Sequence, residues 1–272
     1  MPDSQQAEWD EAYEYQKDDL PRLVVEGDSW FAYPMWRNMI DFIGIADRYA
    51  LCRRGESGRL LRQIVDDGMY LAAARAERPV VVLISGSGND FVNKRFVTGA
   101  DGDGLLFEEY FDGMGPGDLV NTRKWERKLD ELAGHFETIV KRLDGVPMVT
   151  HGYDYSIPSG KGAMYDGLHV AGPWIQPTMI RQDITDPNLQ LKIVALMIDS
   201  LNEMMAGVQN MHPGRFVHAD LRGSVATKDW ANEIHPYEAG FRELAKRYLH
   251  VVNATVAQAA AGPLLATRGD DR

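Results

Sequence analysis

The sequence predicts an α/β fold, a three-layer α/β/α sandwich built on a doubly wound parallel sheet. Three observations carry this reading. Short apolar runs such as "LVVEGDS" and "VVVLISGSGND" break off into Gly, Ser and Asp. Between such runs lie stretches with apolar residues at helical spacing, so strand and helix alternate along the chain. The runs are apolar throughout, as in parallel strands covered on both faces.

In order, "LVVEGDS" reads as a strand delivered into a turn. "GRLLRQIVDDGMYLAAARA" reads as one helix through Leu60, Leu61, Ile64, Val65, Met69 and Leu71, stopped at Arg78-Pro79. The strand "VVVLISGSGND" follows, then the amphipathic helix "RKWERKLDELAGHFETIVKRL". After Gly145, "VPMVTHGYDY" reads as a further strand and loop, and "PNLQLKIVALMIDSLNEMMAGVQN" as a long helix. "RFVHADLRG" is the last strand, and a closing helix starts after Pro236. This alternation describes a flavodoxin-like sheet in one domain over residues 21–255, with an accessory helix or tail at 1–20 and a tail at 256–272. Two segments, 93–122 and 153–183, are rich in Gly, Asp, Pro and aromatics and read as binding loops or lids.

Composition narrows the function classes. Hydrophobic residues at 44% and charged residues at 25% are those of an ordinary globular protein. A net charge of −11 disfavours nucleic acid or an anionic membrane, which need clustered Lys and Arg. The lone cysteine, Cys52, excludes a disulfide framework and a cysteine zinc site. The first 20 residues are polar and acidic without an apolar core, so no secretory signal is read there, and no run suffices for membrane insertion. The expected location is the cytoplasm.

Chemistry-bearing residues gather where strands end, the ligand-binding edge of open parallel sheets. "GDSW" holds Asp28, Ser29 and Trp30. "RRGESGRL" holds Gly55 and Gly58, and "SGSGND" holds Asn89. "DWANEIHP" holds Asn232 and His235 before the final helix. Acyl transfer from an ester needs a hydroxyl made nucleophilic by a neighbouring base, and these blocks contain both residue types.

These four blocks, in this order, resemble the SGNH (GDSL-type) hydrolases. The resemblance spans about Leu23 to Leu249, although only the short blocks match. It implies an esterase with Ser29 as nucleophile and His235 as base. The oxyanion hole it implies comes from the Ser29 N–H, the Gly58 N–H and the Asn89 amide, with Gly55 the alternative glycine. Two positions depart from the family. Ser87 stands where a glycine is usual, and Asn232 stands where an Asp precedes the His by three residues. An Asn can orient the imidazole through its amide oxygen but brings no charge. The other options are orientation by a backbone carbonyl, a displaced carboxylate from Asp229, Glu233 or Asp220, or a weakened or retired site.

Trp30, Asp28, Tyr165 and Trp174 are the candidates to line a substrate site, which suits a short-acyl or carbohydrate ester. Lipase, thioesterase or acyltransferase activity, and a weakened site serving as a binding module, are the alternatives. His151, His169, His212 and His218 read as structural or surface groups. Asp101 and Asp103 lack the further ligands of a calcium loop. The reading calls for a small-molecule ester, with neither cofactor nor metal, and leaves homo-oligomerisation open.

Overall fold

The computed structural model describes residues 19–261. The first strand, β1 (Arg22–Gly27), is buried from its second residue onward and pairs in parallel with two neighbours. One is β2 (Ala50–Arg53), an edge strand; the other is β3 (Val81–Ser85), which is buried throughout. The sheet continues through β4 (Met148–His151) to a last strand at Phe216–Ala219, all parallel. Numbering the antiparallel hairpin β5 (Ala163–Tyr165) and β6 (Leu168–Ala171) in sequence makes that last strand β7. The order β2-β1-β3-β4-β7 is the doubly wound, flavodoxin-like arrangement that the alternation of elements predicts.

The helices follow from caps and apolar faces. Asn38 and Asp41 form a capping box that opens α1 (Met39–Ile45). Beyond β2 come α2 (Leu61–Asp67) and α3 (Met69–Glu77). The single helix expected here is thus two, because Gly68 adopts a left-handed φ of 60° that closes α2 before α3 begins. After β3 come the short α4 (Gly88–Val92) and α5 (Lys94–Val97). Asn121 caps α6 (Thr122–Arg142), which buries Trp125, Leu132, Phe136 and Ile139. A short α7 (Gln176–Ile180) precedes α8 (Pro187–Met211), whose Asp186 cap and Pro187 first position fit a helix start. The last helix, α9 (Glu238–Ala261), begins after Pro236 as read and passes the boundary expected at 255. Of the two terminal segments, 1–18 and 262–272 lie outside the described residues.

The helices lie on both sides of the sheet: α1 packs with α9, while α2 packs with α6 and α6 with α8. At the C-terminal ends of β1 and β3 the strands approach so closely that a Cβ on Gly27 would stand 2.6 Å from the Ser85 Cβ. Glycine there lets the turn carrying Ser29 lie against the end of β3. The two long segments, expected as loops, carry short elements of their own. The first holds α5 and an isolated bridge from Phe107 to Val120; the second holds the β5–β6 hairpin and α7. Among the described residues no helix is long and apolar enough to cross a membrane.

Candidate active site

Asp28 follows β1 and is buried beneath the site, with Trp30 N–H (3.0 Å) and Ser85 Oγ (2.7 Å) on one carboxyl oxygen and Tyr153 OH on the other. Burial pushes its carboxyl up from the usual range. This anchoring turns the chain sharply, and Phe31 and Ala32 N–H return to the Asp28 carbonyl. Ser29 therefore stands at the sheet's C-terminal edge, and its own N–H makes no hydrogen bond among the described residues.

His235 reaches Ser29 from the loop before α9, with Nε2 2.8 Å from Ser29 Oγ. Its Nδ1 lies 3.1 Å from Asn232 Oδ1, which also accepts the backbone N–H groups of Ile234 (3.1 Å) and His235 (2.9 Å). The amide nitrogen of Asn232 points the other way, to Tyr33 OH at 3.4 Å. Three donors thus converge on the amide oxygen, which assigns the proton of His235 to Nδ1 and leaves Nε2 free to accept from the Ser29 hydroxyl. Burial lowers His235 from 6.5 to about 3, so its ring is neutral at physiological pH. The Tyr33 ring lies 4.2 Å from the imidazole and the Trp174 ring 5.6 Å, edge to face. Trp30 ties the first block to the last, its indole N–H donating to the Ile234 carbonyl at 3.0 Å.

None of the three displaced-acid candidates is bonded to His235. Asp220 pairs with Arg222 at the surface. Asp229 serves through its backbone, accepting from Tyr237 N–H at 2.7 Å. Glu233 is fully buried and turned to the second long loop, where it accepts the N–H groups of Gly160 (3.1 Å), Trp174 (2.5 Å), Ile175 (2.6 Å) and Gln176 (2.9 Å). It clamps that loop beside the imidazole, a role missed in the sequence because its partners lie 57–73 residues away.

Asn89 opens the helix after β3 and donates one amide N–H to the Arg59 carbonyl at 3.1 Å, leaving a second N–H. Two residues earlier Ser87 is held at φ = 101°, a conformation that costs glycine nothing and any other residue strain. The Ser87 hydroxyl is buried without a partner among the described residues. Neither Gly55 nor Gly58 uses its N–H in a hydrogen bond among the described residues. Gly55 packs on the Ser29 turn, where an added Cβ would meet Ala32 Cβ and Gly27 O at 3.3 Å. Gly58 is exposed at φ = 86° and precedes Arg59, whose guanidinium is tied to the buried Glu26 at 2.8 Å.

Ser29, Asp28, Trp30, Asn89 and Trp174 line one cleft of about 680 Å³, counting its open mouth. Tyr165 is not brought there; it lies on the β5–β6 hairpin with 62% of its surface exposed. The hairpin turns it to solvent, away from Ser29. Asp101 and Asp103 bond to Lys124 (2.9 Å) and Arg127 (2.7 Å), so lysine and arginine neutralise that acidic loop. No cluster of metal-ligating side chains occurs among the described residues.

No family model and no curated protein matches this chain. Solved structures do. A lipase from a goat rumen metagenome, Lip_vut3, aligns with a TM-score of 0.52 at 10% identity, covering 85% of this chain and 97% of that one. A catalytic mutant of Axe2, an acetylxylan esterase from Geobacillus stearothermophilus, aligns at 0.51 and 12% identity, covering 85% and 94%. The chain has the fold of the SGNH hydrolases. A carbohydrate esterase family 3 protein from Talaromyces cellulolyticus shares this SGNH fold at 0.51 and 12% identity, covering 88% of this chain and 99% of its own.

Proposed function

We propose that this chain hydrolyses carboxylic esters through an acyl-enzyme on Ser29. The observation that carries the reading is the Ser29 Oγ–His235 Nε2 contact of 2.8 Å, with Nδ1 committed to Asn232 Oδ1 at 3.1 Å. The neutral imidazole takes the Ser29 proton as Oγ adds to the ester carbonyl, then returns it to the departing alcohol. Water repeats the cycle on the acyl-enzyme. The free N–H of Ser29 and the second amide N–H of Asn89 receive the developing oxyanion, with Gly55 or Gly58 as the third donor.

Asn232 in place of a carboxylate is compatible with this chemistry. Replacing the acid by an amide harms a triad mainly when the amide nitrogen faces the imidazole and forces the wrong tautomer. Here two backbone N–H groups hold the Asn232 oxygen toward His235. The names of the structural neighbours support the same class: acetylxylan esterase, lipase and carbohydrate esterase. The Axe2 mutants described as catalytic replace a serine and a histidine.

The test is labelling of the folded full chain by a fluorophosphonate, which marks an activated serine without a guess at the substrate. Wild type labels, whereas Ser29→Ala and His235→Ala do not. A folded wild-type sample that stays unlabelled beside an active control hydrolase would sink the proposal.

A further inference from the structure

The cleft beside Ser29 also bears on which ester is cleaved, an argument that rests on Ser29 being the nucleophile. Four groups surround the carbon of a tetrahedral intermediate: Ser29 Oγ, the oxyanion, the leaving oxygen and the acyl chain. The oxyanion must face the Ser29 N–H and Asn89. The leaving oxygen must face His235 Nε2, which supplies its proton. The acyl chain takes the remaining direction, into the apolar cleft that Ser29 lines. The cleft has Ser29, Gly88 and Asn89 on its wall, and His235 is not part of that wall.

Its interior is apolar. The first long segment supplies Val97, Leu106 and Phe107, and α8 supplies Val194, Met197 and Ile198. No Lys or Arg lines it, so an acyl group carrying its own carboxylate finds no counter-charge. The Asp28 carboxyl at its edge already holds Trp30, Ser85 and Tyr153. An acetyl group would occupy only the part of this cleft next to Ser29. We infer that the natural substrate is an ester of an uncharged, apolar acyl group longer than acetyl, matched to the apolar lining of this cleft.

This is not what the acetylxylan esterase among the neighbours would suggest; the side chains of this cleft, and not the shared fold, carry the assignment. Each methylene moved from water into such a cleft contributes about 0.8 kcal/mol, roughly fourfold in kcat/KM when realised at the transition state.

The experiment is a series of 4-nitrophenyl esters, acetate to octanoate, with the leaving group held constant and Ser29→Ala as the blank. The expected result is a rise in kcat/KM of about tenfold or more from acetate to hexanoate. Val194→Phe fills the cleft and should lower the hexanoate-to-acetate ratio by about tenfold. Val97→Phe does the same from the first long segment should the first variant fail to fold, as judged by circular dichroism. A flat series, or a preference for acetate, in a sample whose Ser29 is labelled by fluorophosphonate would overturn the acyl assignment and leave the hydrolase reading standing. No turnover and no labelling in a folded sample would overturn both.

Discussion

Two buried serine–histidine pairs stand a strand apart in this molecule, and only one has the surroundings of an active site. Ser29 and His235 are 2.8 Å apart, and Ser85 Oγ and His151 Nε2 are 3.0 Å apart. Burial lowers both imidazoles to about 3. What differs is what the hydroxyl can reach. Ser29 lines a cleft, has a free backbone N–H, and has the Asn89 amide on the same wall. Ser85 and His151 are fully buried, Ser85 is spent on Asp28, and His151 Nδ1 faces the Gly152 carbonyl at 3.1 Å. A short serine–histidine contact is therefore weak evidence of catalysis on its own. Access and unused N–H groups separate the proposed nucleophile from the hydroxyl beside His151.

The comparison breaks most directly by removing one hydroxyl at a time. Ser29→Ala should abolish ester turnover, whereas Ser85→Ala should retain labelling of Ser29 and lose about 1–3 kcal/mol of stability, read as a lower Tm. Loss of labelling in folded Ser85→Ala would mean that the second pair takes part in the chemistry. Next in size, Asn89→Ala should lower kcat by about 10²–10³ with little change in KM, measured by steady-state kinetics on any accepted ester.

The pairing of His235 with an amide is sharpened by pH. His235 accepts a proton only when neutral, and its folded value is about 3. As pH falls, kcat/KM of the wild type should hold until about pH 4 and drop below it. Asn232→Asp places a carboxylate where it stabilises the imidazolium, which raises the histidine's pKa. Activity near pH 7 should be unchanged or higher, and the acidic limb should move up by about one pH unit or more. A fall of orders of magnitude at neutral pH would give the amide a positive role beyond orientation.

The smallest effect expected is at Ser87. Ser87→Gly relieves the φ of 101° and removes a hydroxyl buried without a partner among the described residues, which should add about 1 kcal/mol and raise Tm by a few degrees. A lower Tm would show that the hydroxyl has a partner that stabilises the fold.

Much of this was legible in the chain because the signals are local. Runs such as Val81–Ser85 are apolar at every position, which a strand buried on both faces requires. The helix at Thr122–Arg142 announces itself by its apolar stripe and its Asn121 cap. The edge strand Ala50–Arg53 went unread because it is short and half-buried, so no pattern marks it. Gly68 divided a helix whose apolar spacing runs through it.

By itself the sequence determined the parallel α/β sandwich and put Ser29, Asn89, Asn232 and His235 at strand ends, since periodicity and turn chemistry act over a few residues. Only the tertiary structure decided what each group faces. It turned the Asn232 oxygen to the imidazole and Glu233 to the backbone of a distant loop. It also moved Tyr165 out to solvent and gathered Val97, Phe107 and Val194 around one cleft. The direction in which a side chain points depends on partners far along the chain, and those meet only when the sheet and its helices close around the core.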